Sequence, residues 1–219
     1  MDRGERELRQ RMIDAFARLS TAGLGPPSAA SLAVRREPGL LVTPADAAAG
    51  GLSPHDVVAL DAEGCFAAGH RPAPEWRLHQ TLLRGRGDVA AVLQCQSPNA
   101  TALACLERPL PGFHARVALA GGHDVPIAAY AGFATAELGA HVLAAVGDRR
   151  ACLMARHGLV VLAPDVEEAV TLARELDTLA GVYLAAARIA EPPPLAAAEM
   201  DAALAKFARL RDGLDPLDW

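Results

Sequence analysis

Leu8, Met12, Ile13, Phe16 and Leu19 recur at helical spacing near the start of the chain, which predicts an opening amphipathic helix. Gly23-Leu24-Gly25-Pro26-Pro27 stops it, because neither residue type sustains helical backbone. The pattern then shortens to strand length at Ser31–Arg35, Gly39–Val42 and Val57–Leu60, with turns at Gly50-Gly51 and Glu63-Gly64. Pro74, at a first-turn position where a missing N–H does no harm, predicts a helix through about Arg84. The strand Ala90–Leu93 follows, then helices near Ala100–Leu106 and Ala136–Val146. Strands at Ala151–Met154 and Leu159–Leu162 lead into a long helix at Val166–Ala190. Glu191-Pro192-Pro193-Pro194 breaks that helix, and Ala196–Arg211 reads as the last one. Strands interleaved with helices make a layered α/β domain.

Composition sharpens this picture. A chain of 219 residues supports one substantial core, so residues 1–219 read as a single domain, with 191–219 as its helical tail. Apolar residues make up 52% but aromatics only 4%, so packing relies on alanine and other small side chains, which suits helices. The net charge of −5, with no basic stripe, argues against a nucleic-acid partner. Arg35-Arg36 and Arg149-Arg150 read as solvated turns. Cys65, Cys95, Cys105 and Cys152 form no C-x-x-C pair and fit reduced thiols in a cytosolic protein. The charged start, Met1-Asp2-Arg3-Gly4-Glu5-Arg6, carries no signal-peptide core. No stretch reaches the roughly 18 apolar residues of a membrane span. The expected location is the cytoplasm, with no membrane partner.

The chemistry concentrates at Gln94 and Gln96. They follow the apolar run Val89-Ala90-Ala91-Val92-Leu93, two residues apart, so a strand delivers both side chains to one face. His-x-His there would be a ready metal chelate, but a neutral amide is a poor zinc ligand. Cys95 between them faces the other side and reads as a small core residue.

Several segments recur in order along nearly the whole chain: Leu41-Val42-Thr43-Pro44, Pro74-Glu75-Trp76-Arg77-Leu78-His79, Asp88-Val89-Ala90-Ala91-Val92, Tyr130-Ala131-Gly132-Phe133-Ala134-Thr135 and Arg156-His157-Gly158-Leu159, then Glu168 through Asp177. Together these resemble the class II aldolase/adducin family. The resemblance implies a three-layer α/β/α fold with a mostly antiparallel central sheet, assembled as a homotetramer. It also implies a zinc-type ion held by a His-x-His strand and a later His-Gly pair, with the glutamate of a Glu-Trp motif moving the proton. Carried onto this sequence, Glu75 is the acid/base and His157 the surviving ligand position, while Gln94 and Gln96 replace the other two. The family's phosphate-binding positions fall on Ala30-Ser31, Ala45-Asp46 and Ala73-Pro74. Asp46 brings a negative charge and Pro74 removes a donor, so Ser31, Asp46, Gln94 and Gln96 become binding positions for something other than a phosphate.

Plainer roles compete at each position. Glu75 can be a helix N-terminal carboxylate favoured by the macrodipole. His157 before Gly158 can cap a turn. His79, one helical turn after Glu75, reads as its local i,i+4 partner rather than a ligand. His114, His123 and His141 read as surface or turn histidines. The expected function is a family member that is non-catalytic, as adducin head domains are, or repurposed for an unphosphorylated carbonyl compound, with no tightly bound cofactor. The alternative is a metal-dependent aldehyde-lyase using Zn2+ or another divalent ion on a small sugar or keto acid.

Overall fold

The computed structural model describes residues 1–19, 21–45, 47, 51–211 and 213. Asp46 and the Gly50 half of the Gly50-Gly51 turn lie outside the described residues. The helices are α1 (Arg3–Ala17), α2 (Trp76–Gly85), α3 (Pro98–Cys105), α4 (Ala136–Val146), α5 (Val166–Ala187) and α6 (Ala197–Arg211). The strands are β1 (Ala30–Arg36), β2 (Gly39–Val42), β3 (Val58–Leu60), β4 (Ala91–Cys95), β5 (Ile127–Ala128), β6 (Ala151–Met154) and β7 (Gly158–Ala163). They form one seven-stranded sheet in the order β3-β2-β1-β4-β7-β6-β5. Every pairing is antiparallel except that of β5 with β6.

The strand period of two divides the core between the two faces of this sheet. Along β4, Ala91, Leu93 and Cys95 join the core built with α1, α3 and α5, while Val92 joins the core built with α2 and α4. Along β7, Leu159 and Val161 go one way, and Val160 and Leu162 the other. Helices therefore cover both faces, and the three-layer α/β/α architecture with its mostly antiparallel sheet is as expected. The same alternation puts Gln94, and Ser31 opposite it in the ladder, on the α2/α4 side.

Several expectations need correction. The helix after Pro74 begins at Trp76, because Glu75 takes the N-cap position and leaves Pro74 outside. α3 begins at Pro98, two residues early, since proline suits the first helical turn. α5 stops at Ala187, before the proline run. β5 and the 3-10 turn Ala115–Ala120 were not anticipated; neither is long enough to show a period. The arginine pairs are not solvated turns. Arg35 donates to the carbonyls of Leu83, Arg86 and Val89, tying β1 to the end of α2. Arg36 pairs with Glu5, Arg149 with Asp124 and Arg150 with Glu168. No helix among the described residues is long and apolar enough to cross a membrane.

Candidate active site

Glu75 and His79 sit one turn apart at the start of α2, where the helix passes over β1 and β4. His79 is fully buried, and its Nε2 lies 2.7 Å from Ser31 Oγ, itself fully buried. Ser31 Oγ in turn lies 3.3 Å from Gln94 Oε1. Burial in this apolar face pushes the His79 imidazole down to about 3, so the ring is neutral at ordinary pH. The Glu75 carboxyl is pushed up from its ordinary value, mainly by burial; its own backbone N–H, the Ser31 hydroxyl and His157 oppose that shift. The Glu75 side chain makes no helix-capping hydrogen bond, although its residue occupies the N-cap.

His157 comes from the tight turn between β6 and β7. Arg156 there has φ of 62°, and Gly158 has φ of 119°. A Cβ on Gly158 would stand 2.5 Å from the Cys95 carbonyl oxygen, so glycine after His157 is a steric requirement of β7 packing beside β4. His157 Nε2 lies 2.8 Å from the Ala131 carbonyl oxygen, and its ring stacks on Tyr130 with centroids 5.4 Å apart and planes 2° from parallel. A carbonyl only accepts, so Nε2 must carry a hydrogen.

The structure thus brings Glu75, Ser31 and Gln94 together, with His157 close enough to influence Glu75 electrostatically. Gln96 lies one residue beyond β4 and is exposed, though its N–H still bonds the Ala29 carbonyl and extends the ladder by a step. Its side chain makes no hydrogen bond to the cluster among the described residues. Cys95 is buried on the opposite face, where desolvation pushes its thiol up to about 12. His79 corrects the sequence reading. Its backbone N–H does bond the Glu75 carbonyl, but its side chain turns to Ser31, across 48 residues of chain. The available signal was its position between Leu78 and Leu82 on the buried face of α2. Tyr130 was also passed over as a site residue. Of the remaining histidines, His114 caps the 3-10 turn, His123 pairs with Asp201 and His141 meets the Ala129 carbonyl.

A cavity of about 1140 Å³ lies away from these residues, against α6, and its Arg86 and Arg150 are already paired with Asp88 and Glu168.

Comparison with known proteins agrees with this fold. The Class II Aldolase and Adducin N-terminal domain model matches residues 10–184. The chain belongs to the class II aldolase/adducin family. It is 45% identical over 205 residues to the 5-methylthioribulose-1-phosphate/5-deoxyribulose-1-phosphate aldolase of Rhodospirillum rubrum, covering 94% of this chain and 93% of that one. It is 35% identical over 202 residues to the L-fuculose phosphate aldolase of Escherichia coli (strain K12), covering 92% of this chain and 94% of the relative. A solved L-fuculose 1-phosphate aldolase superposes with a TM-score of 0.87 at 31% identity, over 92% of this chain and 96% of that one.

The zinc-type ion implied by the family does not fit the donors present. Among the described residues no three His, Cys, Asp or Glu side chains form a group able to hold a metal. His157 donates its Nε2–H to a carbonyl, which leaves Nδ1 as the one imidazole donor among these positions, and Gln94 Oε1 is within reach of a serine hydroxyl. Structural and catalytic zinc sites take three or four imidazole, thiolate or carboxylate donors, and amides are weak substitutes.

Proposed function

We propose that this class II aldolase-family protein does not perform conventional metal-dependent cleavage of a sugar phosphate. Its pocket instead receives a small unphosphorylated carbonyl compound, without a resident metal. The observation that carries this reading is the partnering of the pocket groups. Gln94 and His157, at the ligand positions the resemblance implies, engage Ser31 and the Ala131 carbonyl. What remains for a substrate is hydrogen bonding and proton transfer. Glu75, with raised proton affinity, can hold a proton beside a carbonyl oxygen or take one from the adjacent carbon. Gln94 can donate through its amide nitrogen, a preorganised dipole of the kind that stabilises a developing oxyanion. Ala73 and Pro74 offer no hydroxyl where the family binds phosphate.

A specific observation favours a second reading. Identity of 45% to a 5-methylthioribulose-1-phosphate/5-deoxyribulose-1-phosphate aldolase supports a metal-dependent lyase with altered ligands. Incubating the purified chain with 5-methylthioribulose 1-phosphate and with L-fuculose 1-phosphate, with and without added zinc, separates the two. No cleavage in any condition supports the first reading; zinc-dependent cleavage at an enzymatic rate supports the second. We further infer a cytoplasmic homotetramer, for which light scattering giving a monomer mass at micromolar concentration would be the contrary result.

A further inference from the structure

Gln94 is backed by two completely buried side chains, Ser31 and His79. The direction of the hydrogen bonds among them follows from Ser31, whose one hydroxyl hydrogen faces two oxygens that only accept, Gln94 Oε1 at 3.3 Å and the Glu75 carboxylate. A neutral imidazole has one ring hydrogen to place. On Nδ1 it would leave Nε2 a bare acceptor competing with those two oxygens for the single serine hydrogen, while Nδ1 is unpartnered in either tautomer. On Nε2 it points at Ser31 Oγ, 2.7 Å away. With that lone pair used, the serine's own hydrogen is left for the acceptors on its other side, Gln94 Oε1 and the Glu75 carboxylate. An imidazole that donates to a hydroxyl cannot also remove its proton, so the pair is not an activated nucleophile. Among the described residues Gln94 Nε2 has no hydrogen-bond partner, yet it is not one of the sealed orphan atoms and so keeps access to solvent.

We propose that Ser31 and His79 are positioning residues for Gln94. The one-way chain from His79 Nε2–H to Ser31 Oγ–H to Gln94 Oε1 pins the carboxamide oxygen inward and presents its nitrogen to the carbonyl oxygen of a ligand. The ligand half of this proposal rests on the pocket reading given above; the hydrogen-bond chain does not.

Long-range 1H–15N correlation on the intact labelled protein tests the chain without any substitution. The expected result is His79 as the Nε2–H tautomer; an Nδ1–H or doubly protonated ring near neutral pH overturns the proposal. Titration with dihydroxyacetone, a small unphosphorylated ketone, should move the Gln94 side-chain amide signals, and signals that stay fixed overturn the ligand half. Ser31→Ala and His79→Leu should weaken dihydroxyacetone binding about fivefold, the worth of one neutral hydrogen bond. His79→Gln, which keeps a donor toward Ser31, should stay within about twofold of the parent by the same reckoning. Equal weakening by His79→Gln and His79→Leu would mark a merely structural role and overturn the proposal. Zinc in the purified protein would sink the metal-free reading while leaving the tautomer result standing.

Discussion

The N-termini of α2 and α3 carry a carboxylate each, and the two are treated in opposite ways. At α3, Asp177 reaches over from α5 and accepts from the backbone N–H groups of Asn99 and Ala100 and from Asn99 Nδ2. Its charge meets donors that the helix end would otherwise leave open, which is a structural cap supplied from outside. At α2, Glu75 stands at the N-cap itself and caps nothing with its side chain. Its carboxyl is desolvated instead, over a buried neutral histidine and a serine. A stability-driven design would close both ends alike. The proposed function rests on this difference, which leaves the Glu75 carboxyl desolvated and uncommitted to the helix end.

The largest expected effect comes from His79. Its pKa is depressed in the folded state, so the stability it contributes is present above its unfolded value near 6.5 and is lost as pH falls toward about 3. Between pH 7 and pH 4 this one group should remove about 3 kcal/mol. Urea unfolding at both pH values should show His79→Leu losing less over that interval than the parent chain. An identical loss would place the acid sensitivity elsewhere.

Next comes the structural cap. Asp177→Ala leaves two backbone donors at the start of α3 unmatched and should cost about 2 kcal/mol, read by denaturant titration. Activity or ligand binding should change little beyond what the lost stability explains.

The smallest effect separates the two carboxylates most sharply. Because the Glu75 pKa is raised, its contribution favours folding below the ordinary carboxylate range and is lost as pH rises through the folded value. Glu75→Gln should therefore leave stability at pH 7 unchanged or slightly higher, with the gain absent at pH 3, while ligand turnover or binding falls. A Glu75→Gln chain destabilised as much as Asp177→Ala would erase the contrast.

Much of this was legible from the chain. The apolar stripe of α1 and the long stripe of α5, with Leu172, Leu176, Leu179 and Tyr183 buried, declare their helices through spacing alone. The family segments gave the architecture, and they gave Glu75, Gln94 and His157 as site positions. Local spacing misled at His79, where the i,i+4 relation to Glu75 is real in the backbone but the side chain's partner is Ser31 on a strand. Periodicity reports which face a residue occupies, not which distant residue meets it there. Arg35 escaped for the same reason, since its acceptors are backbone carbonyls at the end of α2. β5 has two residues, too few for any period, and exists because β6 offers it an edge.

Ser31, His79, Gln94 and Glu75 engage one another, and with His157 beside them they are proposed to hold no tight metal. Elemental analysis of the untagged native protein tests this most directly, beside the Gln94→His with Gln96→His double variant as a reference. Far less than one zinc per chain is expected in the native protein and a clear rise in the double variant, with little gain in sugar-phosphate cleavage. Near-stoichiometric zinc in the native chain, bound at Glu75, Gln94, Gln96 and His157, would contradict that expectation and return this protein to the metal-dependent aldolases.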